Sequence, residues 1–196
     1  QNPKQIKIGR RLAIKVLNAA KFVYSFEGDT GEVTEPLDCD MLAHLAKVID
    51  QASAAYEEFD HAKALDVTEA FFWTFSDDYL GLVKERAYTG EGQARTSAIT
   101  ALRRALDAML RLFAPVIPFA TEEVWSWTHE GSIHRAGWPT ASEVATAADP
   151  TTFAGLLGLA SEALISISRF KTYHTVAHTT GGSRAPMQSP GAVPSA

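Results

Sequence analysis

Six cations near the start of the chain could bind a polyanion, because all of them precede the first acidic residue, Glu27. They are Lys4, Lys7, Arg10, Arg11, Lys15 and Lys21. At about 100° per residue, four of them share one face of a predicted helix with an amide and an aromatic ring. We call this set the cationic face, and its members are Lys4, Lys7, Arg11, Lys15, Asn18 and Phe22.

The side chains of the cationic face suit the binding of single-stranded RNA. Lysine and arginine pair with phosphates, an asparagine amide can bond to a base edge, and an aromatic ring can stack on an unpaired base. In the alternative interpretation, Phe22 packs against a neighbouring helix and the cations form a solvated face. The residues alone leave both interpretations open.

Residues that could carry catalysis or hold a metal are poorly placed. Only His174 and His178 have a spacing that a metal could use on a helix, and they lie in a low-complexity stretch without a further ligand. Asp77 and Asp78 are adjacent and would diverge on a helix, which argues against an acid and base pair. There is no phosphate-binding loop and no dinucleotide-binding glycine pattern. We therefore expect no catalytic residue, metal site or cofactor in this chain.

The bulk composition is that of one globular domain. The chain has 196 residues, of which 46% are hydrophobic, and a formal net charge of −5. Net negative charge argues against nucleic-acid binding by global attraction but allows a local cationic face. No apolar run is long enough to span a membrane, and the single cysteine, Cys39, fits a cytosolic location. Because the first residue is not Met, we interpret the chain as part of a longer protein.

Periodicity predicts an all-α bundle of about five to six helices over residues 1–171. The tail over 172–196 is rich in Thr, Gly, Ser, Pro and Ala and should be disordered. Residues with helical apolar spacing should form the core; they are Leu12, Val16, Leu45, Ile49, Phe71, Phe75, Leu106, Phe113, Val124, Trp125 and Leu157.

Prolines, glycines and acidic residues predict where the helices begin and end. One helix should end at Ala114 before Pro115, and the next should begin at Pro118 with its positive end near the acidic pair 122–123. Asp38 or Asp40 should cap the second helix, and Asp149 the last. A single helix is expected over 61–88, with a kink at 76–78, and an extended piece near residue 133.

Four stretches resemble, in order and spacing, the C-terminal part of bacterial valine–tRNA ligases, which are class I aminoacyl-tRNA synthetases. They are QIKIGRRLA with NAAKFV (5–13 and 18–23), FW to KER (72–86), LFAP with PF and TEEVW (112–125), and SIH with WP (132–139). The resemblance extends to about residue 170. Isoleucine- and leucine-type relatives share the third stretch, whereas the residues of the first stretch favour a valine-type enzyme.

The resemblance implies a helical anticodon-binding domain that recognises the anticodon stem-loop of tRNA(Val) for aminoacylation in protein synthesis. In whole enzymes this domain follows catalytic and editing domains, and the enzyme uses ATP with Mg²⁺. Motifs of the His-Ile-Gly-His and Lys-Met-Ser-Lys-Ser type do not occur here, so the chain should bind tRNA without activating valine. It should be a cytoplasmic monomer without a membrane association. Carried over residue by residue, the family's anticodon contacts fall on Lys15, Asn18 and Phe22.

Two departures and two alternatives accompany this resemblance. Gly81 stands where the family has Glu, which should weaken its helix by roughly 1 kcal/mol. After Arg169, relatives continue with a Lys-rich segment and a coiled coil that contacts tRNA, whereas this chain enters its low-complexity tail. One alternative is a purely structural bundle that docks on a catalytic domain. The other is the equivalent domain of an isoleucine- or leucine-type synthetase.

Overall fold

The computed structural model describes the backbone of residues 3–166 and the side chains of residues 9–166. These residues contain no strand, and seven α-helices follow one another: α1 (Pro3–Tyr24), α2 (Pro36–Glu57), α3 (His61–Trp73), α4 (Leu80–Thr89), α5 (Gly92–Phe113), α6 (Pro118–Trp125) and α7 (Ala141–Val144). Helical backbone also covers 156–166. The all-α prediction is confirmed, with more helices than the five or six expected. The predicted boundary at 171 and the tail over 172–196 lie outside the described residues.

The core is built around α5. Gln1–Leu159 forms one compact unit in which α1, α2, α3, α4, α6 and α7 all contact α5. Because α5 is surrounded in this way, both its apolar residues and small polar ones such as Ser97 and Thr100 are buried. All eleven predicted core residues are buried, as expected. None of the described helices is long and apolar enough to span a membrane.

α5 ends at Phe113, one residue before the predicted end at Ala114, and α6 begins at Pro118 as predicted. Val124 and Trp125 of α6 are buried, whereas Phe119 is 90% exposed and Trp127 is 37% exposed. The prediction that the acidic pair serves the positive end of α6 is wrong, because both residues lie beyond the first turn. Glu122 instead accepts hydrogen bonds from the Ile133 amide and the Ser132 hydroxyl, at 3.0 and 2.9 Å.

Two further local predictions are corrected in the segment that follows α6. Ile133–Arg135 is a 3₁₀ turn rather than an extended piece, because Ser132 caps it by accepting a hydrogen bond from the His134 amide. Asp149 caps only an isolated turn through the Thr151 amide. Helical backbone begins at 156, after Gly155 with φ of +87°.

The helix predicted over 61–88 is divided by a π-helical segment at Thr74–Tyr79. We call Thr74–Tyr79 the wide turn. It contains the 76–78 stretch where a kink was expected, and it keeps Phe75 and Tyr79 buried beside Phe71 of α3. Gly90 follows the last residue of α4, as predicted. A wide turn of this kind often lies at a functional site.

Asp38 and Asp40 do not cap α2, whose first residue is Pro36 and whose N-cap is Glu35. The Asp38 carboxylate is fully buried and accepts hydrogen bonds from Tyr79, Arg86 and Ser97. The Asp40 carboxylate accepts from the amides of Gly155 and Leu157, at 3.2 and 2.8 Å. Each carboxylate thus joins α2 to a distant part of the chain, which spacing along one helix does not reveal.

Candidate nucleic-acid interface

The amphipathic pattern of α1 separates a buried face from an exposed one. Leu12, Val16 and Val23 are buried against the rest of the bundle, since they recur at the three- and four-residue spacing of one helix face. On the other side, Arg10, Arg11, Asn18 and Lys21 are exposed. Within the described part of the cationic face, Arg11 and Asn18 are exposed, whereas Lys15 and Phe22 are half-buried. The side chains of Lys4 and Lys7 lie outside the described residues.

Arg11 and Lys15 share one aromatic ring from another helix. The Arg11 guanidinium carbon lies 5.2 Å from the centroid of the Trp73 ring, and the Lys15 ammonium nitrogen lies 5.5 Å from it. The Trp73 indole N–H donates to the Glu69 carboxylate at 3.0 Å, which fixes the orientation of the ring. Each cation–π contact is worth about 0.5–1 kcal/mol at an exposed site. The ring of the last residue of α3 therefore contacts two cations that lie one turn apart on α1.

Lys15 also forms an ion pair with Asp77 of the wide turn. The ammonium nitrogen lies 2.7 Å from a carboxylate oxygen, and the two side chains are 38% and 53% exposed. The same oxygen accepts a hydrogen bond from the Ser76 hydroxyl at 3.1 Å. Because the pair is open to water, it contributes only about 0.2–1 kcal/mol. A phosphate can therefore replace Asp77 at small cost.

Asn18 and Phe22 differ in how firmly the fold holds them. The Asn18 amide is exposed one turn after Lys15. Phe22 is half-buried, with its ring edge-to-face with Phe26 at 5.0 Å and with Tyr88 of α4 at 6.1 Å between centroids. Packing of Phe22, the alternative considered from sequence, is thus part of its environment. Its remaining exposure leaves room for a stacked base on a ring that is already oriented.

Two participants in this surface were missed by sequence reasoning. No local signal in the sequence placed Trp73 against cations of α1. Asp77 was considered as half of an acid and base pair and as part of a kink, but not as a partner of Lys15. Its contact with Lys15 bridges 62 positions of sequence, so periodicity within one helix could not reveal it. Among the described residues, no group of three or more acidic, His or Cys side chains could hold a metal ion.

Comparison with known proteins identifies related sequences. The protein family described as "Anticodon-binding domain of tRNA ligase" matches residues 38–181. That span includes Trp73 and Asp77 but begins after α1. The chain is also 54% identical over 176 residues to the valine–tRNA ligase of Leifsonia xyli subsp. xyli, covering 88% of this chain and 20% of that protein.

Two further relatives have the same name. The valine–tRNA ligase of Cutibacterium acnes is 48% identical over 194 residues, covering 96% of this chain and 22% of its own length. Because the unmatched part of this chain is shorter than α1, the matched region includes residues of α1. The enzyme of Thermobifida fusca is 52% identical over 174 residues, covering 86% of this chain and 20% of its own length. The chain spans about a fifth of the length of these curated relatives. With the family match over most of its residues, the chain belongs to the family of anticodon-binding domains of tRNA ligases.

Proposed function

We propose that this chain binds the anticodon stem-loop of tRNA(Val) through the cationic face, as one domain of a valine–tRNA ligase that acts in protein synthesis. The observation that carries the proposal is the outer side of α1, where two cations, an amide and an oriented ring lie within about three turns of helix. The similarity to valine–tRNA ligases supports the choice of valine over isoleucine or leucine.

The side chains of the cationic face have different roles in RNA recognition. Arg11 and Lys15 bind phosphates and supply affinity without sequence information, because every RNA has the same backbone charge. Asn18 bonds to the edge of an anticodon base, and Phe22 stacks on an extruded base. Lys4 and Lys7 continue the same face toward the start of α1 and add phosphate contacts.

Asp77 and Trp73 set the state of the cations before RNA arrives. Asp77 forms an ion pair with Lys15, and the Trp73 ring contacts both Lys15 and Arg11. The two cations are therefore restrained without being buried. A phosphate then displaces one exposed carboxylate and meets two cations that the same ring already restrains. This arrangement lowers the ordering cost of long cationic side chains on binding.

The remaining activities of the parent enzyme belong, in this proposal, to other parts of a longer protein. The chain by itself neither activates valine nor hydrolyses mischarged tRNA, and it needs no cofactor. ATP and Mg²⁺ are used by the catalytic domain of the parent. The parent is a monomer in the cytoplasm, where its tRNA substrate is found.

The test is binding of synthetic RNA hairpins that differ only in the anticodon. The full chain should bind a hairpin with a valine anticodon more tightly than one with a changed anticodon. Asn18→Ala should reduce that preference, whereas Arg11→Ala should weaken both hairpins alike and reduce the salt slope by somewhat under one unit. Gln51→Ala and Lys47→Ala are matched controls, since both residues are exposed on α2.

Phe22 requires a folding control because it also packs. Phe22→Ala should cost about 1–3 kcal/mol of binding if the ring stacks on a base, and circular dichroism must show an intact helical fold. Equal binding of all hairpins by the wild-type chain would overturn anticodon recognition and favour a structural bundle that uses its cations to dock on a protein. An anticodon preference untouched by Asn18→Ala would remove Asn18 from the base contacts.

A further inference from the structure

A second feature suited to RNA lies at the end of α1, away from the cationic face. It is a cavity of about 820 Å³ between the last turn of α1, the middle of α5 and the residues that follow α6. Its wall includes Tyr24, Arg103, Arg104, Asp107, Trp127 and His129. A volume of this size is within the range of about 300–1,000 Å³ for sites of small organic ligands. We call it the Trp127 cavity.

The aromatic side of the Trp127 cavity is fixed in place before any ligand binds. The rings of Tyr24 and Trp127 meet edge-to-face at 6.4 Å between centroids. The Trp127 indole N–H donates to the Glu123 carboxylate at 3.1 Å, and the Thr128 hydroxyl donates to the Tyr24 hydroxyl at 3.3 Å. The indole nevertheless stays 37% exposed. A flat ring that is oriented but uncovered is a suitable stacking surface for a base.

The polar side of the cavity carries excess positive charge. Arg103 donates to the carbonyls of Phe26 and Gly28, at 2.8 and 3.1 Å, and Arg104 donates to the Ala145 carbonyl at 3.1 Å. These acceptors are neutral, and within the described part of the chain neither guanidinium pairs with a carboxylate. The one acidic wall residue, Asp107, is already paired.

Asp107 is engaged from two directions. Arg111 lies 2.6 Å from one of its oxygens, and His129 lies 3.3 Å from the other. The Arg103 Nε is buried and has no hydrogen-bond partner among the described residues. Two guanidinium charges thus remain for an anionic ligand.

From this combination we propose that the Trp127 cavity binds one unpaired nucleotide of the RNA held on α1, with the base stacked on Trp127 and a phosphate beside Arg103 and Arg104. The inference rests on the proposed function for its source of RNA. Asn18, Lys21 and Tyr24 form a row at three-residue spacing, which leads from the cationic face to the cavity by about 9 Å along the helix axis and about 120° around it. An acidic peptide would use the arginines but not the exposed ring, whereas a nucleotide uses both.

The decisive comparison uses two tryptophans of nearly equal exposure. Trp138 is 39% exposed and its indole also donates a hydrogen bond, to Ser53 at 2.9 Å. Trp127→Ala should weaken binding of the valine hairpin about 5- to 140-fold, the equivalent of about 1–3 kcal/mol for one stacked base. Trp138→Ala should leave binding unchanged. Trp127→Phe, which keeps a ring, should recover most of the affinity even though it loses the bond to Glu123.

Abasic substitution along the hairpin identifies the nucleotide. One unpaired position should exist at which loss of the base weakens the wild-type chain but has no further effect on Trp127→Ala. A second experiment measures the binding of free AMP, CMP, GMP and UMP to the chain by tryptophan fluorescence. If a free nucleotide quenches the fluorescence only when Trp127 is present, and hairpin binding is insensitive to Trp127→Ala, then the ligand of the cavity is a free nucleotide and not part of the RNA bound on α1.

The two proposals fail in distinguishable ways. Anticodon-dependent binding that Trp127→Ala leaves intact, with no abasic position coupled to it, overturns the cavity and leaves the proposed function standing. Absence of any hairpin binding by the wild-type chain overturns the proposed function and the RNA source together. Coupling of one abasic position to Trp127, combined with sensitivity to Arg104→Gln but not to Arg135→Gln, supports the cavity as assigned.

Discussion

Replacing Asp38 by asparagine should reduce the free energy of unfolding by about 3 kcal/mol, because the change leaves a half-buried guanidinium without its counter-charge. The Asp38 side chain has 0% exposure, and its oxygens accept from Arg86 at 2.6 and 2.8 Å, from Tyr79 at 2.8 Å and from Ser97 at 2.7 Å. Asparagine has the same shape, so no cavity contributes to the loss.

The size of the effect follows from what Asp38→Asn leaves behind. Removing one partner of a buried ion pair costs about 3–5 kcal/mol. Arg86 retains 22% exposure and can regain some hydration, which places the expected value at the lower end. Burial works against the charged form of Arg86, but the hydrogen bonds and charge of Asp38 raise the pKa of Arg86 above its ordinary value. Arg86 therefore keeps its charge in the native state, and the loss of its counter-charge is felt at neutral pH.

Urea denaturation followed by circular dichroism measures this difference directly. Asp50→Asn, an exposed change of the same type on α2, is the control and should alter stability by less than about 0.5 kcal/mol. Arg86→Met should also destabilise, and the double variant should lose less than the sum of the two single losses by about 1 kcal/mol or more. A loss for Asp38→Asn no larger than that of the control, or strict additivity in the double variant, would refute the ion-pair reasoning.

Three other perturbations test separate parts of the structure. Asp77→Asn should raise affinity for the valine hairpin by up to about fivefold at low salt and less at high salt, because it frees Lys15 from a pair worth about 1 kcal/mol at most; weaker binding would show that Asp77 does not compete with RNA. Gly81→Ala should stabilise the chain by about 0.5–1 kcal/mol in urea titrations, since the added methyl meets nothing within 4 Å; no gain would mean the position is not limited by helix propensity. Burial and then the charge of Asp38 raise the pKa of Tyr79 well above its ordinary value, so the unfolded chain releases this proton first and stability falls above about pH 10. Tyr79→Phe should lose stability less steeply than the wild type over that alkaline range, and equal slopes would contradict the assignment.

Predictions from sequence succeeded where the cause was local. Pro118 begins its helix because proline lacks an amide proton. Gly90 follows another helix in an extended conformation, where the Cβ of any other residue would clash with the Arg86 carbonyl oxygen. The buried and exposed sides of α1 were predicted from its helical periodicity. The core residues were also identified by spacing, since burial on one face is a property of a single helix.

Predictions failed where two distant segments decide the outcome. Asp38 has the position and chemistry of a cap, yet its partners lie 41 to 59 residues away and draw it into the interior. Asp149 followed by proline has the pattern of a helix start, but Asp40 binds the amides of Gly155 and Leu157 further on. The surroundings of Lys15 and Phe22 were equally hidden, because they come from α3, the wide turn and α4.

The wide turn also constrains how this domain tolerates changes in length. The hydrogen bonds of the wide turn run from i to i+5 rather than i to i+4, so it holds one residue more than the same stretch of α-helix. Removing one residue from Thr74–Tyr79 should therefore restore regular α-helix and leave Val83 and Ala87 on their buried face. Removing one residue from within α4 would instead rotate everything after it by about 100°, so a chimera that exchanges 61–89 with a related domain can differ by one residue at the wide turn but not within its flanking helices.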